Sequence, residues 1–156
     1  MPRGRKHEPT VEPSEADYWY AAGFIDGEGC ITVRVATSTS NKWNQSMFAS
    51  VSASQVDRDV LAWMQERWGG SIRRIPPRRP KQQDCWEWVV VSQQAYVFLE
   101  GVRGMLKVKG RQAENALRLR DLRKARGWGN ALTAEEVAVQ AEIRAEASRL
   151  NQLGKL

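Results

Sequence analysis

Apolar and polar positions change their period several times along the chain, and each change marks an element. Residues 30–35 alternate strictly, with Ile31, Val33 and Val35 on one side and Cys30, Thr32 and Arg34 on the other. A period of two is that of a half-buried strand. Residues 47–54 repeat the pattern, setting Met47, Ala49, Val51 and Ala53 against Phe48, Ser50, Ser52 and Ser54. Residues 71–75 and 85–91 read as a third and a fourth strand, the last with Trp86, Trp88 and Val90 on one face. Between the two strand pairs, Val60, Leu61, Met64 and Trp68 recur at helical spacing. They predict a helix over 58–68, opened by Asp57 and closed by Gly69 and Gly70.

Capping signals place the remaining helices. Ser14 and Asp17 fit an S-x-x-D pattern that opens a helix over 15–26, with Gly27 and Gly29 ending it. Ser92 is expected to cap a helix over 93–103, and a further helix covers 110–126. After the break at Gly127-Trp128-Gly129-Asn130, Thr133 and Glu136 form a capping box for a last helix to about residue 152. The order α-β-β-α-β-β-α, followed by extra C-terminal helices, predicts an α+β fold. Its four-stranded sheet is antiparallel or mixed, with helices on the apolar face and the polar face left open. Residues 1–13, with Arg3, Arg5, Lys6 and prolines, predict a flexible basic tail; 14–156 form one domain, of which 127–156 are a helical extension.

Composition narrows the class. The chain has 156 residues, 42% of them hydrophobic, and a formal net charge of +6. That suits a single domain with a real core. The basic excess points toward a polyanion, because Lys and Arg displace counterions from phosphates. With two distant cysteines, Cys30 and Cys85, and His7 as the one histidine, neither a zinc site nor a disulfide scaffold is expected. No apolar run is long enough for a signal peptide or a membrane span, so an intracellular protein without a membrane partner is expected.

The chemistry centres on Tyr20-Ala-Ala-Gly-Phe-Ile-Asp-Gly-Glu-Gly29. From Ala22 to Gly29 this run resembles the LAGLIDADG signature of homing endonucleases at eight consecutive positions, and the element order to about Arg126 is similar to that family's. The physics of the run agrees. Gly23 and Gly27 lie four apart on one helix face, where missing side chains let another helix come close. A carboxylate at the helix end, Glu28, then stands near its counterpart. Hard oxygen ligands of this kind suit Mg2+.

The resemblance implies a site-specific endonuclease making double-strand breaks in a long, near-palindromic double-stranded DNA site by metal-dependent phosphodiester hydrolysis. It implies Glu28, Gln55 and Lys109 as catalytic residues, with Lys107 the alternative lysine. Glu28 and the Gly27 carbonyl would hold Mg2+, with Ca2+ or Mn2+ able to replace it in binding. Asp26 reads as structural. Some relatives carry an arginine where this chain has Asp59, and Arg58 lies one residue away. One motif copy implies a homodimer, with Tyr20, Ala22, Gly23, Asp26 and Gly27 at the interface.

The family's saddle-shaped sheet lies in a major groove. Strand alternation then offers Thr32, Arg34, Ser38, Asn41, Ser50, Ser52, Ser54, Arg73 and Glu87 to DNA, while Arg78, Arg79 and Lys81 meet phosphates from the loop. Trp86 and Trp88 fall on the core face. The basic helix bearing Arg111, Arg118, Arg120, Arg123, Lys124 and Arg126 is expected to flank DNA in part and otherwise to face solvent. An alternative on the same fold is an intron RNA maturase or a non-cleaving DNA-binding protein.

Overall fold

The computed structural model describes residues 6–36, 46–127 and 130–153. Helix α1 (Glu15–Glu28) opens with the expected box: the Ser14 hydroxyl accepts from the Asp17 N–H at 3.2 Å, and the Asp17 carboxylate accepts from the Ser14 N–H at 3.0 Å. The helix runs two residues past Asp26. Gly27 stays helical, and only at Gly29, whose N–H donates to the Ile25 carbonyl, does the chain leave for β1 (Gly29–Val35). A Cβ on Gly29 would lie 2.8 Å from Ile25 Cδ1, so glycine alone allows helix to pass straight into strand.

Strand β2 (Met47–Gln55) pairs antiparallel with β1, setting Ile31 opposite Val51 and Val33 opposite Ala49. The Asp57 carboxylate accepts from the Asp59 N–H at 2.9 Å and opens α2 (Arg58–Trp68). The helix stops at Gly69 and Gly70, which take φ of +75° and +89°. A Cβ on Gly70 would stand 2.6 Å from Val90 Cγ1, so backbone and contact both demand glycine. Then follow β3 (Ser71–Ile75), β4 (Cys85–Val91), α3 (Ser92–Val102), α4 (Gly110–Arg126) and α5 (Ala134–Gln152). The sheet order is β1-β2-β4-β3 with every neighbouring pair antiparallel, which decides between the antiparallel and mixed options.

One sheet face carries the helices. Ile31, Ala49, Val51, Ala53, Trp88 and Val90 are buried there with Ala21, Ala22 and Ile25 of α1, Leu61 and Met64 of α2, Phe98 and Leu99 of α3, and Leu117 of α4. Burying a large side chain of this kind stabilises the fold by about 1.5–3 kcal/mol. Tyr20, Trp63, Trp68, Phe98 and Trp88 make successive ring contacts with centroids 5.1–5.6 Å apart, a continuous aromatic path from the surface of α1 to the sheet. The Trp88 indole N–H donates to the Gly69 carbonyl at 2.8 Å. Both tryptophans of β4 share the core-facing register, as expected, opposite Gln55 and Ala53.

The C-terminal extension is part of this body. Ile143 and Ala147 of α5 pack on Val33 and Leu119, and Asn151 Nδ2 donates to the Ile31 carbonyl at 2.9 Å. Helix α5 therefore covers the sheet beside its edge strand β1.

One local expectation changes. Ser92 does not cap α3: β4 runs directly into the helix, Val91 is the last extended residue, Ser92 takes φ +53°, and no side chain bonds to the first turn. Residues 7–11 make backbone hydrogen bonds to the domain. His7 exchanges both backbone hydrogen bonds with Gly70, at 2.8 and 3.0 Å, and Thr10 and Val11 donate to the Glu66 carbonyl. Backbone groups fasten this strap, so its polar composition concealed it.

Candidate active site and DNA-facing sheet

The end of α1 is the natural starting point. The last carbonyls of a helix lack intrahelical partners and carry partial negative charge. Here the Ile25 carbonyl takes the Gly29 N–H, and the Asp26 carbonyl takes Lys109 Nζ at 2.6 Å. Gly27 and Glu28 complete the terminus, both exposed. The Asp26 side chain turns the other way. Its Oδ2 accepts from the Lys107 N–H at 2.7 Å, and its Oδ1 accepts from the N–H groups of Val108 at 3.2 Å and Lys109 at 3.0 Å. Asp26 is thus committed to the turn before α4, while Glu28 stays available.

The structure brings Lys109, not Lys107, side chain first to the motif, across 83 residues of sequence. Gln55 ends β2 two positions beyond Ala53, the partner of Gly29. It therefore lies at the end of the sheet where α1 enters, opposite Trp86. Its Oε1 accepts from the Val56 N–H at 2.8 Å. The Arg58 guanidinium lies 5.3 Å from the Trp86 ring centroid, which sets it beside the same strand end. Asp59 is exposed in the first turn of α2.

Donor chemistry limits what one chain can hold. With Asp26 occupied, the α1 terminus offers one free carboxylate and backbone carbonyls. Among the described residues no cluster of three or more His, Cys, Asp or Glu side chains is placed to hold a metal. The oxygens suit a hard divalent cation, but a single chain supplies only part of its shell.

The outward side of α1 shows what is missing. Among the described residues, a Cβ on Gly23 or Gly27 would meet nothing within 4 Å, so none of them requires glycine there. Trp19 and Tyr20, 51% and 56% exposed, flank that bare strip. Ala22 is buried in the chain's own core, because it falls on the opposite side of the helix, and the Asp26 carboxylate faces the turn at 107–109. Trp19 was missed, although its spacing of four from Gly23 is a helical-face signal.

The open sheet face is less polar than the β1 and β2 pattern suggests. Register places Thr32 with Ser50, Ser52 with Val89, Ser50 with Val91, Ser54 with Glu87, and Arg73 with Glu87 on this side. Val89 and Val91 add apolar surface to this side, in register with Ser52 and Ser50. Arg34 and Arg73 are exposed, whereas Ser52 and Ser54 are half-buried. Ser50, set between Thr32 and Val91, is 1% exposed. Glu87 is only 16% exposed, and its carboxylate accepts from Arg73 Nε at 2.8 Å. It is engaged by its neighbour rather than free to meet a cytosine. Arg78, Arg79 and Lys81 are exposed on the 76–84 loop, and Ser38 and Asn41 lie outside the described residues.

In the basic helix α4, Arg120 and Arg126 are paired with acids. Arg120 binds Glu100 at 2.7 Å, Arg126 binds Glu136 at 2.7 Å, and Arg118 reaches Asn115. The guanidinium of Arg120 holds the Glu100 carboxyl below its usual pKa. Arg126, with the Thr133 N–H, takes Glu136 down to about 2.

Comparison with known proteins agrees with this architecture. The family model described as LAGLIDADG endonuclease matches residues 21–98. The chain belongs to the LAGLIDADG endonuclease family. Among solved structures it is similar to the homing endonuclease I-CvuI in complex with its target, at 19% identity and a TM-score of 0.67 over 87% of this chain and 82% of that one. It is similar to the archaeal intron-encoded homing endonuclease I-Vdi141I complexed with DNA, at 20% identity and TM-score 0.66 over 87% and 84%. The homing endonuclease I-TnaI aligns at 22% identity and TM-score 0.61 over 91% and 96%. No curated protein sequence matches the chain. Among the described residues no helix is long and apolar enough to cross a membrane.

Proposed function

We propose that two copies of this chain form a site-specific DNA endonuclease that makes a double-strand break in a long, near-palindromic site. The observation that carries the reading is an exposed Glu28 at the end of a helix where the Lys109 ammonium bonds the Asp26 carbonyl, on a helix whose outer face is bare at Gly23 and Gly27. Packing that face on a second copy brings two α1 termini together and doubles the oxygen donors.

Glu28 and the Gly27 carbonyl would hold a divalent cation, Mg2+ in the first instance. Such a cation supplies charge stabilisation at phosphate and a nucleophilic water at neutral pH. Lys109 offers a positive charge to the phosphate as negative charge builds on it. Gln55, at the adjoining strand end, orients water. The sheet face gives base contacts through Thr32, Arg34, Ser52, Ser54 and Arg73, and the 76–84 loop meets phosphates through Arg78, Arg79 and Lys81. The solved relatives bound to DNA, one with its target in the presence of Ca, support this docking.

The test is cleavage of a library of candidate sites with Mg2+, repeated with Glu28→Gln. Wild type is expected to cut, and the variant to bind the same site without cutting. Wild type that binds intron RNA and cuts no DNA would replace this reading with the maturase.

A further inference from the structure

Lys109 reaches the end of α1 at the tip of a turn with no cap of its own. It is the N-cap residue of α4, and its own side chain does not cap the helix. Its neighbour Val108 is exposed. A lysine side chain has many rotamers, and this one is only partly buried. Yet both its backbone and its ammonium are fixed, and by the same residue. The Asp26 carboxylate gathers the N–H groups of Lys107, Val108 and Lys109, and the Asp26 carbonyl accepts from Lys109 Nζ. The turn before α4 is thereby capped by α1, and the end of α1 is capped by the lysine that the turn presents.

We infer that Asp26 is a positioning residue: its carboxylate sets Lys109 against the Gly27–Glu28 end of α1, so that the lysine and the acid keep one spacing. The inference rests on the endonuclease reading above for its consequence, though not for the clamp itself. The geometry explains why an acid is needed. Both carboxylate oxygens accept, from three donors in all. In Asp26→Asn one oxygen becomes an NH2 group, which points a donor at another donor whichever way the amide is turned. Asp26→Glu keeps both acceptors but moves them by one methylene.

The consequence for rate follows from the sensitivity of catalysis to placement. A misplacement of about 1 Å costs on the order of 100-fold in rate. A merely structural acid would instead lower stability and act independently of Lys109.

The experiment is a double-mutant cycle on the full-length dimer, using single-turnover cleavage of a cognate site, with DNA affinity measured alongside. Asp26→Asn is expected to lower the cleavage rate about 100-fold with affinity changed less than about threefold. In a Lys109→Met background the same substitution is expected to cost less than about threefold, because the group it positions is gone. Equal losses in both backgrounds would overturn the inference. If Asp26→Asn does not fold, Asp26→Glu carries the same cycle. A second readout needs no cleavage: hydrogen exchange at the amides of residues 107–109 should accelerate in Asp26→Asn and stay unchanged in Glu28→Gln. Unaltered exchange in Asp26→Asn overturns the clamp. A wild type that never cuts DNA overturns the endonuclease reading while leaving the exchange result to decide the clamp.

Discussion

Arg73 and Glu87 face each other across β3 and β4 on the open side of the sheet, with Arg73 Nε donating to the Glu87 carboxylate at 2.8 Å. The arginine is half exposed while the glutamate is mostly covered. The pair therefore holds one guanidinium on the open side of the sheet. A guanidinium so held can donate twice to guanine, a contact worth about 1–3 kcal/mol of discrimination against the wrong base. Arg73→Ala should relax one base pair of each half-site by about that amount. Glu87→Ala should relax the same position and no other, since it acts through the arginine. Selection of cleaved or bound sites from a randomised half-site library reads both. A separate position responding to Glu87→Ala would show that the glutamate reads a base itself.

The strands and helices were legible because burial imposes a period, and Ile31, Val33, Val51 and Trp88 carry it. What alternation does not encode is depth. Ser50 points the right way but sits 1% exposed among Thr32 and Val91. Lys109 was placed at the site through family resemblance. Its tie to Asp26 spans 83 residues, a distance over which no local pattern operates. The strap at His7 was illegible for another reason: backbone groups hold it, and they are common to nearly every sequence.

Helix α5 should prove integral to the fold. Ile143 is fully buried against Val33 and Leu119, and its carbonyl accepts from Asn115 Nδ2 at 2.8 Å. Ile143→Ala is expected to cost about 2–5 kcal/mol, the range for emptying a core position. Asn151→Ala removes the donor to the Ile31 carbonyl and should cost about 1 kcal/mol. Urea denaturation of both variants checks the values. An α5 that were only an appendage would leave the midpoint of β-sheet unfolding unmoved.

Acid should weaken the Arg126–Glu136 tie between α4 and α5 as pH falls from about 4.5 to about 2. Glu136 titrates near 2 instead of 4.5 because Arg126 and the Thr133 N–H favour its charged form. A carboxyl depressed in the folded state contributes stability that is complete above its unfolded pKa and is lost as pH falls through the folded one. The window is therefore from about 4.5 down to about 2. Glu136→Gln lacks this titration, so the stability gap between wild type and variant should be widest above that window and close within it. Denaturation midpoints collected across this pH range give the gap directly, and a constant gap would refute the assignment. Asp17, lowered by the Ser14 N–H and by Arg67, titrates in both proteins and cancels.

The two bare glycines of α1 separate the needs of the chain from those of a partner. Within a helix interior, glycine costs about 0.5–1 kcal/mol relative to alanine. A Cβ on Gly23 would touch none of the described residues. On intramolecular grounds Gly23→Ala should therefore stabilise the folded monomer. If α1 instead packs on α1 of a second copy, the added methyl pushes two backbones apart, and a leucine pushes them farther. Gly23→Ala is then expected to weaken dimerisation while raising monomer stability, and Gly23→Leu to yield monomer at micromolar concentration. Sedimentation velocity gives the association state, and denaturation at low protein concentration gives monomer stability. Opposite signs in the two measurements would locate the glycine requirement at the interface. A Gly23→Leu chain that dimerises as tightly as wild type would mean that copies meet through some other surface, and the shared site at Glu28 would lose its basis.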